Sequence, residues 1–380
     1  MTLRRGIHVF TIIQIVAGLS MVCEAQERPL LTRHLREVTV SGQAQLVGRL
    51  PPSKSMTLDL VLSLRNQAEL SNLLIQLYDP SDPSYRHFLT VPEFTASYGP
   101  TREDYDAVVH FAQANGLTIV GGSRDSMDVQ VNSSVAKIET AFNIMINVFQ
   151  HPTENRTFFA PNREPTVNLP FQLWHISGLD NYSIPRPAVR HSPAVTANFA
   201  GSCPGNSYCG SDMRAAYYGG TSLTGAGQSV GLLEFYGYNI HDVNTYFVSA
   251  RQTNHVPIIG ISTDGSSLGC LSANGCDDTE QILDITQAAS MAPGMRALNV
   301  YVGNSDTAIL SAMSRHSPLD KQLSSSWTWS PSDPRVDDPY FEKFAAQGQS
   351  IFQAAGDSGA YAADSTAVYP ADDAYVTAVG

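Results

Sequence analysis

The stretch Asp277–Gly294, DDTEQILDITQAASMAPG, sets Glu280 and Asp284 four residues apart on one face of an expected helix. Like charges at that spacing weaken a helix by roughly 0.2–0.5 kcal/mol, and most such pairs are simply solvated. Two carboxyls held close together titrate as a unit and share one proton, because both negative charges cannot form cheaply. A carboxylate can serve as a general base when its pKa lies near the working pH. A third acid, Asp357, follows an apolar run in AAGDSG. Asp-Ser-Gly is ordinary turn chemistry. Here, though, it falls just past the carboxyl end of an expected parallel strand, where open α/β sheets hold their ligands.

The elements that would position these acids alternate regularly. QSVGLLEF, VPIIGIS, RALNVYV, QLSSSWTW and SIFQAAG read as strands. Between them IHDVNTYFVSAR, the acidic stretch itself, DTAILSAMSRH and DPYFEKFAAQ read as helices. Strands and helices in strict alternation imply a parallel sheet covered on both faces. The half before it has a different rhythm. MTLDLVLSL is a period-2 strand, NQAELSNLLIQLY a helix capped by Asn66, and TREDYDAVVHFAQANG a helix capped by Thr101 and stopped at Gly116. LTIV, MDVQV, SVAKIETAF and IMINVFQ follow as strand, strand, helix and strand. That order fits an α+β, ferredoxin-like split βαβ layout with an extra helix. Residues 184–210, rich in Pro, Ala, Ser and Gly, read as a linker in which Arg186 and Arg190 are candidate processing points.

At 380 residues the chain has room for two or three domains, and a 43% hydrophobic content supports real cores. Thirty-five acids against 23 bases give a net charge of −12, which argues against a nucleic-acid surface and suits an acidic environment. Arg4 and Arg5, an apolar run from Ile7 to Val22 and small residues near Ala25 read as a cleaved signal peptide over residues 1–25. No later segment is long and apolar enough to span a bilayer. Secretion removes Cys23 and leaves Cys203, Cys209, Cys270 and Cys276 in an oxidising compartment. Of three connectivities, Cys203–Cys209 with Cys270–Cys276 is preferred, because each pair is local to one Gly/Ser/Asn-rich loop. No Cys-x-x-Cys or His-Glu-x-x-His spacing marks a zinc site. Gly220 and Gly225 have Walker-like spacing but no Lys, and Asn132, Asn155 and Asn181 begin glycosylation sequons that matter only in a glycosylating host.

The motifs SYRHFLTVPEFTASYGPTREDYDAVVHFAQANGLTIVGGSRDSMDVQVNSSVAKIETAFNIMI, GAGQSVGLLEF, EQILDITQAASMAPG, LSSSW and AAGDSGA, in this order, resemble a sedolisin, a serine-carboxyl peptidase of the kumamolisin type. The part before the enzyme-like motifs resembles a pro-kumamolisin activation prodomain. The resemblance implies a prodomain over 27–183, a processing linker over 184–210 and the N-terminal part of a subtilisin-like catalytic domain over 211–380. It implies Glu280 as general base, Asp284 as its hydrogen-bonded partner and Asp357 as the donor to the oxyanion. Glu234 and Trp327 become partners of the acid pair. Asp357 could donate only while protonated, which again favours low pH.

The resemblance also marks departures. The family's nucleophile lies in a late Gly-Thr-Ser followed by Pro, and no such motif follows Asp357 in these 380 residues. Ser222, in Gly220-Thr221-Ser222, lies before the acids and lacks the Pro. Thr328 stands where the family has Gly. The family's calcium ligands would lie beyond Gly380, so calcium is expected of the family and no metal of this chain. The expectation is therefore an interrupted record of a secreted acid-acting zymogen, inactive as written, with peptide substrates and its own prodomain as intramolecular inhibitor. A second reading is a non-catalytic secreted protein working through an inhibitory prodomain. A pepsin-like reading of Asp357-Ser358-Gly359 needs two such turns in a mostly β fold, and one is present in an α/β pattern.

Overall fold

A computed structural model describes residues 28–188, 201–219, 222–270, 275–361 and 367–380. The expected signal peptide, residues 189–200 of the linker with Arg190, and Gly220 lie outside the described residues.

The parallel sheet forms as expected. Its six strands lie in the order Ile258–Ser262, Ala297–Val302, Ser229–Glu234, Gln322–Ser325, Ser350–Ala354 and Thr377–Val379. All five pairings are parallel. Ala297–Val302 is buried at every position, as a strand covered on both faces must be. Helices Ile240–Ser249 and Thr279–Met291 share an apolar cluster with the strands through Val243, Phe247, Ile285, Ala289, Leu298 and Val300. Helices Asp306–Arg315 and Asp338–Gln347 contribute Ile309, Leu310, Phe341 and Phe344 to a second cluster, with Leu233 and Leu323 of the strands. Thr377–Val379 has no counterpart in the sequence reading. The expected strand 322–329 is broken: Gln322–Ser325 stays in the parallel sheet, while Trp327–Thr328 leaves it to pair antiparallel with Arg186–Pro187.

The N-terminal unit differs from the single-sheet expectation. Ser55–Val61 and Asp128–Ser134 pair antiparallel over seven residues, with Thr118–Ser123 on one side and His175–Ser177 on the other. The fourth place in this sheet, expected for 144–150, belongs to His175–Ser177. Ile146–Gln150 instead sits between Leu46–Arg49 and Thr157–Pro161 in a separate three-stranded sheet. The physical reason is local: Thr157–Pro161 returns within a tight connection and takes every register position of Ile146–Gln150. The helix cap at Thr101 is as expected, its Oγ1 accepting from the Asp104 N–H at 3.0 Å. Asn66 is a correction. It adopts a left-handed conformation, makes no side-chain cap, and donates through Nδ2 to the Ser97 carbonyl. A full capping box at Thr90 and Glu93 opens Val91–Ser97.

The two units share one apolar cluster. Val61, Leu70, Leu74, Phe94 and Met127 pack with Phe235, Met313, Trp327, Tyr340 and Phe344. Lys343 of the parallel-sheet unit is fully buried there, its Nζ bonded to the Asp125 carbonyl and to Ser314 Oγ and lying 5.5 Å from the Phe94 ring centre. Burial pulls its pKa down to about 7. Truncating a fully buried Phe typically costs about 3–5 kcal/mol. Phe94→Ala should therefore lower the stability of the chain by about that amount in urea unfolding. A loss under about 1 kcal/mol would show that Phe94 does not anchor the interface.

Candidate active site

Four side chains meet at the carboxyl edge of the parallel sheet. Glu234 ends the strand Ser229–Glu234 and is fully buried. Trp327, just past the adjacent strand, donates from Nε1 to Glu234 Oε2 at 2.8 Å. Its neighbour Ser326 donates from Oγ to Asp284 Oδ1 at 2.8 Å. Asp284 lies on the helix Thr279–Met291, with Glu280 buried one turn earlier. The helix N-terminus favours negative charge in that first turn. Asp278, just before the helix, accepts the Asn239 N–H at 2.8 Å and ties the helix entry to the loop after the Glu234 strand. The disulfide Cys270–Cys276 closes the loop leading into the same helix, and Cys203–Cys209 forms as expected.

Burial is the largest influence on these acids. It pushes Glu234 well above the usual carboxylate range, with the charge of Asp284 adding to it and the Trp327 bond opposing it. Burial first, and then the charge of Glu280, push Asp284 up to about 7, against the Ser326 bond. Asp284 keeps partial exposure as a residue, but its Oδ2 is closed off from solvent, as is Glu234 Oε1. Neither atom is paired in the absence of a carboxyl proton. One proton carried by Glu234 and donated to Asp284 satisfies both, and that bond raises Glu234 and lowers Asp284. The result is a chain running from the Trp327 indole through Glu234 to Asp284, with Ser326 fixing the far side and Glu280 next along the helix.

Asp357 is exposed, beyond the carboxyl end of Ser350–Ala354 and after Gly356, whose φ of +97° turns the chain there. It stands on the same sheet edge as Glu234, two strands along. Ser222 is exposed in the turn before Ser229–Glu234. Among the described residues no group of three or more His, Cys, Asp or Glu side chains could hold a metal ion. The calcium implied by the family resemblance enters no step. No described helix is long and apolar enough to cross a membrane.

Sequence reasoning missed two contributors. Ser326 was one of three serines in LSSSW, with nothing to single it out. The segment Arg186–Ala188 read only as linker, yet it lies antiparallel to the edge of the site. Arg186 pairs with Thr328 and Pro187 with Trp327. The Ala188 N–H donates to the Ser326 carbonyl at 2.7 Å. Arg186 itself turns to the N-terminal unit and pairs with Glu154 at 2.6 Å.

Residues 42–182 match the family model of the pro-kumamolisin activation domain. Kumamolisin from Bacillus sp. (strain MN-32) is 26% identical over 376 residues, covering 94% of this chain and 67% of its own. Sedolisin from Pseudomonas sp. (strain 101) is 23% identical over 316 residues, covering 79% of this chain and 53% of its own. Among solved structures, Pseudomonas sedolisin complexed with two molecules of pseudo-iodotyrostatin is 25% identical, with a TM-score of 0.37, covering 49% of this chain and 54% of that one. The chain is thus similar to sedolisin-type peptidases, with a match to the pro-kumamolisin activation domain over residues 42–182. It spans about two thirds of the length of kumamolisin and about half that of sedolisin.

A raised carboxyl pKa has a definite sign in stability. The folded state binds the extra proton, so the contribution favours folding in acid and is lost as pH rises from Asp284's ordinary value near 3.8 through about 7. The stability difference between the chain and its Asp284→Asn variant should therefore shift by on the order of a few kcal/mol between pH 5 and pH 8, against the wild type at pH 8. Urea unfolding at the two pH values measures it, and a constant difference would rule out the shared-proton arrangement.

Proposed function

We propose that this chain is the secreted zymogen form of an acid-acting serine-carboxyl endopeptidase. The observation that carries the proposal is the proton-sharing Glu234–Asp284 pair beside Glu280, set against an edge strand already occupied by the chain's own linker. Glu280 is the general base that would take the proton of a serine hydroxyl, since a hydroxyl is a poor nucleophile until a base removes it. Asp284, clamped by Ser326 and by protonated Glu234, holds Glu280 in position and shares its charge. Trp327 orients Glu234. Asp357, protonated, would donate to the oxyanion at the carboxyl edge of the sheet. Acid operation follows from both needs, a carboxylate base and a neutral carboxyl donor.

Substrate would bind by adding a strand to Trp327–Thr328, the mode that Arg186–Ala188 already uses. While the linker lies there, a peptide cannot, which supports reading the N-terminal unit as an intramolecular inhibitor. Two local disulfides and the apolar N-terminal stretch of the sequence support secretion. The serine, and any calcium, belong to the longer family architecture.

As a 380-residue polypeptide the chain is expected to hydrolyse no peptide, because the proposed nucleophile is not among its residues. A fluorogenic peptide assay between pH 3 and pH 7 checks this. Cleavage abolished by Glu280→Ala would refute it and require a nucleophile within the chain.

A further inference from the structure

Two histidines of the prodomain lie stacked where it meets the catalytic unit. His34 and His175 are both buried, their ring centres 4.3 Å apart and their planes 12° from parallel. His34 sits on an N-terminal strap, residues 31–36, and His175 opens the short strand His175–Ser177 on the central prodomain strand. The strap also spans the interface. Arg33 N–H donates to Asp333 Oδ2, Ser332 Oγ to the Arg33 carbonyl, and Arg36 Nη1 to the Ser330 carbonyl. The indole of Trp174, next to His175, donates to the carbonyls of Arg335 and Val336. The loop that receives these bonds, Ser330–Val336, directly follows the strand Trp327–Thr328 on which the linker lies.

The hydrogen bonds place a proton on His175 Nδ1 and a lone pair on His34 Nε2. Thr32 Oγ1 donates to the Trp174 carbonyl at 2.6 Å, so at 2.8 Å it can only accept the proton of His175 Nδ1. The Ile176 N–H donates to His34 Nε2 at 3.1 Å, so that nitrogen carries a lone pair. The remaining His34 proton then sits on Nδ1, 3.4 Å from Glu164 Oε2 and buried without an aligned hydrogen bond. A second proton on His175 would put a buried charge against a neighbouring imidazole.

The charged groups around the pair offer a second proton on His175 little. On the strap, Arg33 and Arg36 are cations, and Arg36 is paired with Asp180 at 2.9 Å. Asp333 is held by Arg335 and Arg33. Across the same inter-unit cavity, which His175 lines with Arg36, Asp180 and Asp306, Asp306 is pushed toward its neutral form by burial. Asp59, on the strand beside His175–Ser177, and its neighbour Asp128 are likewise pushed toward neutrality by burial. Glu164 is engaged by the N–H groups of His34 and Leu35. Burial, then His34 and then Arg36, drive His175 well below the ordinary histidine range.

We propose that His175, buried in its stack against His34, is an acid-labile latch, whose protonation frees the prodomain strap from the loop Ser330–Val336 and so loosens the linker from the substrate edge strand. The inference rests on the inhibitory reading of the prodomain. The sign is fixed by linkage. A depressed histidine contributes stability that is complete above its unfolded value near 6.5 and is lost as pH falls below it, by at most one decade in the opening equilibrium per pH unit for each such group. Glu164, whose carboxyl is lowered by its bonds to His34 and Leu35, acts in the same direction only further down, below the ordinary carboxylate range.

The test is hydrogen exchange by mass spectrometry on the 380-residue chain from pH 7.5 to pH 5, corrected for intrinsic exchange. Protection of segments 31–36, 173–177 and 186–188 should fall by about ten-fold or more over that range. His175→Phe, which keeps a stacked ring, and His175→Gln, which keeps a donor to Thr32, should each flatten the profile. The two variants guard against one failing to fold. Wild-type protection that stays level, or a fall of equal steepness in a folded His175 variant, overturns the proposal. A profile flattened by Glu164→Gln and not by the His175 variants also overturns it, and assigns the lability to the carboxylate. Because exchange needs no catalysis, a flat profile would sink the latch alone, whereas the acid pair that carries the zymogen reading is tested separately by the Asp284→Asn unfolding comparison.

Discussion

Ser326 makes two bonds that face in different directions. Its hydroxyl fixes Asp284, and its carbonyl takes the Ala188 N–H. It is also the residue at which the chain leaves the parallel sheet, between Gln322–Ser325 and Trp327–Thr328. The bend lets one short segment serve a buried proton chain on its side-chain face and an extended peptide along its backbone. The Trp327 indole completes the buried side through Glu234, while the Trp327 carbonyl is anchored by Gln353 Nε2 at 2.7 Å. Rigid anchoring of this kind is what a site needs if a carboxylate base is to be held at a fixed distance from substrate.

Much of this arrangement was legible in the sequence, for identifiable reasons. The alternation of apolar strands and amphipathic helices after residue 228 announces a parallel sheet, because each strand must be buried on both faces. Glu280 and Asp284 are legible as a pair from helical spacing alone, and the burial that makes them chemically interesting comes only with the sheet edge beneath them. Thr101 is readable because a cap is a local contact. Asn66 looks the same on paper, but its side chain is drawn to Ser97 at the end of another helix. The strand His175–Ser177 has three residues and the strand Arg186–Pro187 two, too few for a period to show. Both exist because a distant partner offers an unpaired edge, which no local pattern encodes.

The interface between the two units gathers an unusual number of buried acids. Asp59, Asp128, Asp306 and Asp337 are all pushed toward their neutral forms by burial. Thr307 donates to Asp59 across the seam, and Trp329 and Tyr369 donate to Asp337 within the parallel-sheet unit, so these acids are bonded without separated charge. For a chain with a net charge of −12, neutral acids at the seam spare it the repulsion that docking two acidic surfaces would bring.

Lys343 stands apart in that seam as a buried base whose proton is held only weakly once the units are together. In water a lysine keeps its proton up to about pH 10.4. Parting the two units therefore takes up a proton at this position anywhere between about pH 7 and that value, and bringing them together releases it. The face that the parallel-sheet unit would show to solvent if parted carries a positive charge that its docked form partly conceals. Re-docking therefore strips that charge only above about pH 7, whereas in acid the lysine stays protonated whether the units are together or apart.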